Sequence, residues 1–187
     1  MLRVIVSRVV NTLFLVVLLV APTTLDAQVL VPPMAFDCDA EPGSASTWTT
    51  GIKSLDLRVQ GTIEFVHLHY QFKWAPVASV LLISTSDAQT GFQFFLQRHK
   101  SIDLLQVGIV NPDDPTAQTV ILTYPWKGKP LPFTLAMSRS GDVNVTVGDE
   151  SATLEINNFE QDRLSLACSA ADVLFSDIVI TPNSDDT

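Results

Sequence analysis

Apolar and polar residues alternate with a period of two through most of the chain, and that period belongs to strands with one buried face. Leu55, Leu57 and Val59 alternate with Asp56, Arg58 and Gln60. Val66, Leu68, Tyr70, Phe72 and Trp74 alternate with His67, His69, Gln71 and Lys73, which predicts one strand with five apolar side chains inward and four polar ones outward. Val80 to Ile83 is a continuous apolar run, as a strand covered on both faces shows. Phe92, Phe94 and Leu96 oppose Gln93, Phe95 and Gln97, and residues 102–110 and 119–124 supply two more apolar strands. Phe133, Leu135 and Met137 precede Val143, Val145 and Val147; Leu154 and Ile156, then Leu164, Leu166 and Cys168, then residues 173–180, complete the series.

Turn chemistry separates these runs. Ser138 to Asp142, with Gly141, and Gly148 to Ser151 read as tight hairpins, because Gly, Asp and Ser tolerate turn geometry. Helical periodicity never lasts beyond about one turn. Many short strands at roughly ten-residue spacing predict an all-β fold of two packed antiparallel sheets, a sandwich spanning residues 54–181. Residues 28–53, with Pro32, Pro33, Pro42 and Gly43, show no sustained period and read as an extended leader that places Cys38; residues 182–187 read as a polar tail.

The N-terminus changes the setting. Arg3 and Arg8 precede an unbroken apolar run from Leu13 to Ala21, Pro22 ends any helix, and Ala27 offers a small residue before a cut. Residues 1–27 thus read as a signal peptide; the rival is an uncleaved anchor helix, and the apolar core is shorter than the roughly 20 residues a membrane span needs. Cleavage would leave 160 of the 187 residues, with no membrane span, in a secreted, extracellular location. It removes two Arg and one Asp, taking the formal charge from −9 to −10. A domain this acidic repels phosphate backbones, which argues against nucleic acid as a partner. In an oxidising compartment the two cysteines, Cys38 and Cys168, are expected to pair as a disulfide, with two buried free thiols as the alternative. Neither has a neighbouring His or basic residue that would make it a reactive thiol.

Residues 133–148, with Phe133, Leu135, Arg139, Gly141 and Val143 to Gly148, resemble the hairpin of laminin-G and concanavalin A-like lectin domains. Residues 79–87 followed by 91–96 resemble the paired strands of the same family, and Phe175 to Ile180 its closing strand, which pairs near the N-terminus. The insect farnesoic acid methyltransferase-like domain is similar in pattern too. Phe133 stands nearest where that lectin hairpin often carries a Trp. The resemblance implies a jelly-roll, concanavalin A-like sandwich more firmly than it implies sugar binding. It also brings jelly-roll glucanases into view, and their Glu-x-Asp-x-x-Glu signature is absent; Asp149 and Glu150 fall in a turn and Glu155 alternates outward.

Four places carry candidate chemistry. In residues 124–130, Trp126 stands outside any alternating run beside Tyr124, Lys127 and Lys129, a basic island with aromatics that stack on sugars or anchor protein interfaces. The simpler alternative folds Trp126 back as a lid on the core, while Trp48 and Trp74 read as structural. His67 and His69 leave one strand face together and can bind zinc or copper if a third ligand joins them. His99 and Glu64 are candidates, Glu64 on the opposite parity, so the pair reads first as two outward polar residues and no metal site is assigned. Asn111 to Pro115, with Asp113 and Asp114, is an oxygen-rich loop that can hold calcium, or a plain solvated turn. Asp87 is a further loop acid. Asn144-Val145-Thr146 is a glycosylation sequon with Asn144 outward. Together these predict a recognition module that binds glycans or an extracellular protein partner through rim loops, without catalysis. A structural subunit of an extracellular assembly and a polysaccharide-active enzyme are the alternatives.

Overall fold

The computed structural model describes residues 31–52, 56–71, 73–84, 91–98, 103–111, 114–156 and 161–183. The signal-peptide reading of residues 1–27 lies outside them, as do Asp87, His99 and Asp113. The described residues form ten antiparallel strands: β1 (Val31–Gly51), β2 (Leu57–Leu68), β3 (Val77–Ile83), β4 (Gly91–Arg98), β5 (Leu104–Asn111), β6 (Asp114–Pro125), β7 (Leu131–Met137), β8 (Asp142–Val147), β9 (Glu150–Glu155) and β10 (Arg163–Thr181).

Two long bent strands tie the sandwich together. β10 pairs with β3 through residues 163–169 and with β2 through residues 171–181, and β1 follows it along both halves. The change of partner falls at Ala170, which takes φ 52. The matching corner in β1 is a register shift between Ala40 and Ala45, where Gly43 takes φ 88, a value that a residue without a Cβ adopts readily. The first sheet therefore runs β6-β5-β4-β3, then the N-terminal half of β10 and the C-terminal half of β1. The second runs from the other half of β1 through the other half of β10 to β2-β7-β8-β9.

The stretch read as a leader is in fact a strand, and its alternation is visible in hindsight. Met34, Phe36, Cys38 and Ala40 face inward, and after the corner Ser46, Trp48, Thr50 and Ile52 do so. The Pro and Gly that hide this period are the corner itself. Likewise the two segments 164–168 and 173–180 are halves of one strand.

Between the sheets lies one apolar core. Phe94 of β4 stacks against Phe133 of β7 with ring centroids 6.0 Å apart, and Phe92, Leu96, Leu105, Leu135, Phe175 and Ile178 are fully buried around them. Cys38 and Cys168 form the expected disulfide, 130 residues apart in sequence. They are not cross-strand neighbours: Cys38 sits opposite Val173 and Cys168 opposite Ser46. The bridge thus spans the corner and fastens one sheet to the other from inside.

The longest predicted alternation is the one the fold breaks. β2 ends at Leu68, and its inward residues are Leu57, Val59, Ile63 and Phe65. A register shift sets Phe65 opposite Val173 but His67 opposite Asp172, so Val66 is an extra residue and stands exposed. The bulge flips the parity: Leu68 packs on the core, while Glu64, His67 and His69 all take outward positions. Glu64 is therefore on the same face as the histidine pair, contrary to the parity expected from an unbroken strand. Trp74, past a turn closed by Gln71 and Trp74, is 46% exposed rather than a core residue.

Candidate functional site

Three surface features gather chemically capable side chains. The first is the rim region singled out in the sequence. Tyr124, Trp126, Lys127 and Lys129 do come together, with Pro130, Pro132 and the β8–β9 turn residues Gly148 to Glu150, around an open hollow of about 550 Å³. Trp126, however, is only 7% exposed. Its indole N–H donates to the Lys129 carbonyl at 2.9 Å, Phe65 meets its ring edge-on at 5.8 Å, and the Arg98 guanidinium lies 4.8 Å from its centroid. Arg98 is held in turn by the Leu104 carbonyl and the Asp103 carboxylate. Trp126 closes one end of the sandwich, and its ring faces are taken. It packs as a lid on the core and leaves only a small part of its surface to the hollow. Tyr124 is half-buried, packs where Gly148 leaves room for its ring, and has its hydroxyl pKa raised by burial and by nearby Asp149.

The second feature lies on the outer face of the first sheet. Because Phe92, Phe94 and Leu96 point inward, Gln93, Phe95 and Gln97 point outward, next to Ser79 and Leu81 of β3. Phe95 pairs with Gly108, and its ring lies across the space a Cβ there would fill. Phe95 is itself only 3% exposed, so it lies beneath the groove as a covered ring between the two outward amides. Trp74 and Lys73 stand at one side against the β1 corner, with Trp74 ring atoms 3.7 Å from the position a Gly43 Cβ would take. Thr47, Gln118 and Ser169 complete a groove of about 390 Å³. Of the three Trp residues, Trp74 is the most open, at 46% exposed. The sequence missed this groove, since Trp74 fell on the apolar parity of a strand that in fact ends six residues earlier.

The third feature is on the outer face of the second sheet. Asp39 of β1, Asp172 of β10 and His67 of β2 occupy one row across three neighbouring strands. His67 Nδ1 lies 3.0 Å from one Asp172 carboxylate oxygen and His69 Nε2 lies 2.9 Å from the other. The hydrogen bond to Asp172 raises the His69 pKa, and the same bond lowers that of Asp172. Asp39 is raised by its hydrogen bond and proximity to Asp172. The pair was legible in the sequence; its partners were not, because they arrive from strands about 30 residues before and 100 residues after it. The other expected third ligand, His99, is outside the described residues.

In the stretch read as a calcium loop, Asn111 of β5 pairs with Asp114 of β6, and Pro112 and Asp113 lie outside the described residues. Asn144 is exposed on β8, opposite Thr153, whose hydroxyl donates to its Oδ1. Among the described residues, no helix is long and apolar enough to cross a membrane.

The sequence matches no protein-family profile and no curated protein. Solved structures do match it in fold. The CBM2 module of the evolved Dit protein of Lactobacillus casei BL23 phage J-1 superposes with a TM-score of 0.54 at 8% identity, over 81% of this chain and 77% of that one. A carbohydrate binding module from Bacillus subtilis gives 0.51 at 12% identity, over 76% and 84%. A β-1,3-1,4-glucanase (lichenase) from a mouse hindgut metagenome gives 0.51 at 8% identity, over 80% of each chain. These likenesses define the class: an all-β, antiparallel, jelly-roll sandwich of the concanavalin A-like kind. Identities this low establish the fold and leave the function to the residues of the site.

Proposed function

We propose that this chain is a secreted recognition module that binds a glycan in the groove on the outer face of its first sheet. The observation that carries the reading is Trp74, a half-open indole beside the outward amides of Gln93 and Gln97. Sugars present apolar C–H faces and a rim of hydroxyls; a flat ring takes the first and amide or hydroxyl side chains take the second. Such a site needs few polar groups, fixed on a rigid sheet. The fold's likeness to carbohydrate binding modules is in keeping with this, and so is the lining of the groove, which among the described residues includes no carboxylate. Glycoside hydrolysis in most families requires two, which favours binding over the reaction named for the lichenase.

The proposal moves the contact aromatic from Trp126 to Trp74 and leaves Tyr124, Lys127 and Lys129 as a separate rim. A protein partner at the same face is the second reading, favoured by Val120, which is 47% exposed on β6 opposite Gly108. A glycan array probed with the wild type and with Trp74→Ala tests the proposal. Binding of a glycan class that the substitution abolishes supports it. An empty array, with self-association or capture of an extracellular protein instead, supports the second reading.

A further inference from the structure

We propose that Asp39, His67, His69 and Asp172 form a binding site for one divalent transition metal of the zinc, copper(II) or nickel class. The site lies on the opposite sheet from the groove and stands independently of the glycan reading.

Geometry carries the inference. One ligand atom from each of Asp39, His69 and Asp172 falls within 4.8 Å of the other two. His67 adds a fourth group, with its Nδ1 3.0 Å from Asp172. Zinc bonds of about 2.0–2.2 Å to nitrogen and oxygen set tetrahedral ligand atoms roughly 3.3 Å apart. An ion can replace the protons that now join the imidazoles to the carboxylate once these side chains draw in from the 4.8 Å that bounds the Asp39, His69 and Asp172 group and His67 turns to join it. The backbone is already fixed for this. The Val66 bulge brings His67 and His69 to the outer face, and the His69 N–H donates to the carbonyl of Ala170, the corner residue of β10.

Electrostatics agrees. Asp37 and Glu64 occupy the next row, both opposite Leu174, and Glu41 follows Asp39 on β1. These positions hold five carboxylates and two imidazoles, with no Lys or Arg among them. Asp39 and Asp172 face each other on paired strands; two ionised carboxylates so placed repel one another, and a cation relieves that repulsion. Two imidazoles in the ligand set select zinc, copper or nickel over calcium and magnesium, which take oxygen ligands.

The alternative is a pair of histidines that merely brace β2 against β10. Titration of the full chain with Zn2+ in competition with a chromophoric chelator separates the two. The expected result is one equivalent bound, with Ca2+ unable to displace it. Removing even an outer-shell partner of a metal typically costs about 10–100-fold in affinity; His69→Ala and Asp172→Asn should each weaken Zn2+ binding at least about tenfold. These side chains are at the surface, and circular dichroism verifies that each variant is folded. A second measurement needs no variant: in 15N NMR of the wild type, Zn2+ should shift Nδ1 of His67 and Nε2 of His69 together, at one equivalent. Absence of stoichiometric binding, unchanged affinity in folded variants, or ring nitrogens that do not respond would each overturn the proposal.

Discussion

The ring of Phe95 lies over Gly108, in the space that any side chain at residue 108 would occupy. That contact packs the Phe95 ring, 3% exposed, beneath the groove. A Cβ on residue 108 would also stand 2.9 Å from the Thr119 carbonyl oxygen, so neither neighbour can yield easily. Gly108→Ala is expected to destabilise the domain by about 1–3 kcal/mol, the usual range for overpacking. The displaced Phe95 ring would also disturb Gln93 and Gln97. Denaturant unfolding should show a lower midpoint at unchanged slope, together with weaker glycan binding.

Trp126 and Trp74 should behave oppositely. Trp126 is buried between Phe65 and Arg98, and its removal leaves a cavity at the end of the core. Trp126→Ala is expected to cost about 3–5 kcal/mol, measured by thermal or denaturant unfolding. Trp74→Ala is expected to leave stability within about 0.5–1 kcal/mol, as for surface changes, and to weaken glycan binding by about 2 kcal/mol or more, the level of an interface anchor.

The disulfide joins two strand halves that belong to different sheets, Cys38 in the second and Cys168 in the first. The double variant Cys38→Ser, Cys168→Ser is expected to lose about 2–5 kcal/mol. The chain-entropy model for a loop of 130 residues gives a figure at the top of that range. Comparing unfolding of the variant with that of the reduced wild type checks it; both should fall by similar amounts.

Local pattern made the strands of β3 to β9 legible, along with the hairpins at Gly141 and Gly148 and the disulfide. Each depends on residues close in sequence or on the chemistry of a cysteine pair. What stayed hidden depends on pairing. β1 looked like a leader because the Pro42–Gly43 corner interrupts its period, and β10 looked like two strands because Ala170 bends it. The Val66 bulge was invisible, since one added residue leaves an alternating sequence looking continuous while reversing which face it buries. For that reason Glu64 was set apart from His67 and His69, whereas Trp74 was misplaced inside because β2 ends at Leu68 and the chain turns before reaching it. The candidate site suffered in the same way. Tyr124, Trp126, Lys127 and Lys129 do share one hollow, but nothing in the sequence showed that Arg98 and Phe65 would cover Trp126. The partners Asp39 and Asp172 reach the histidines only through strand order.

The central claim is that glycans bind at Trp74 and not at the rim. The most direct measurement is a two-dimensional NMR titration of the folded domain with the best glycan from the array. The Trp74 indole N–H and the side-chain amides of Gln93 and Gln97 should shift and saturate together, while the Trp126 indole stays in place. Shifts gathered at Tyr124, Lys127 and Lys129, with Trp74 unmoved, would contradict the account and return recognition to the rim hollow.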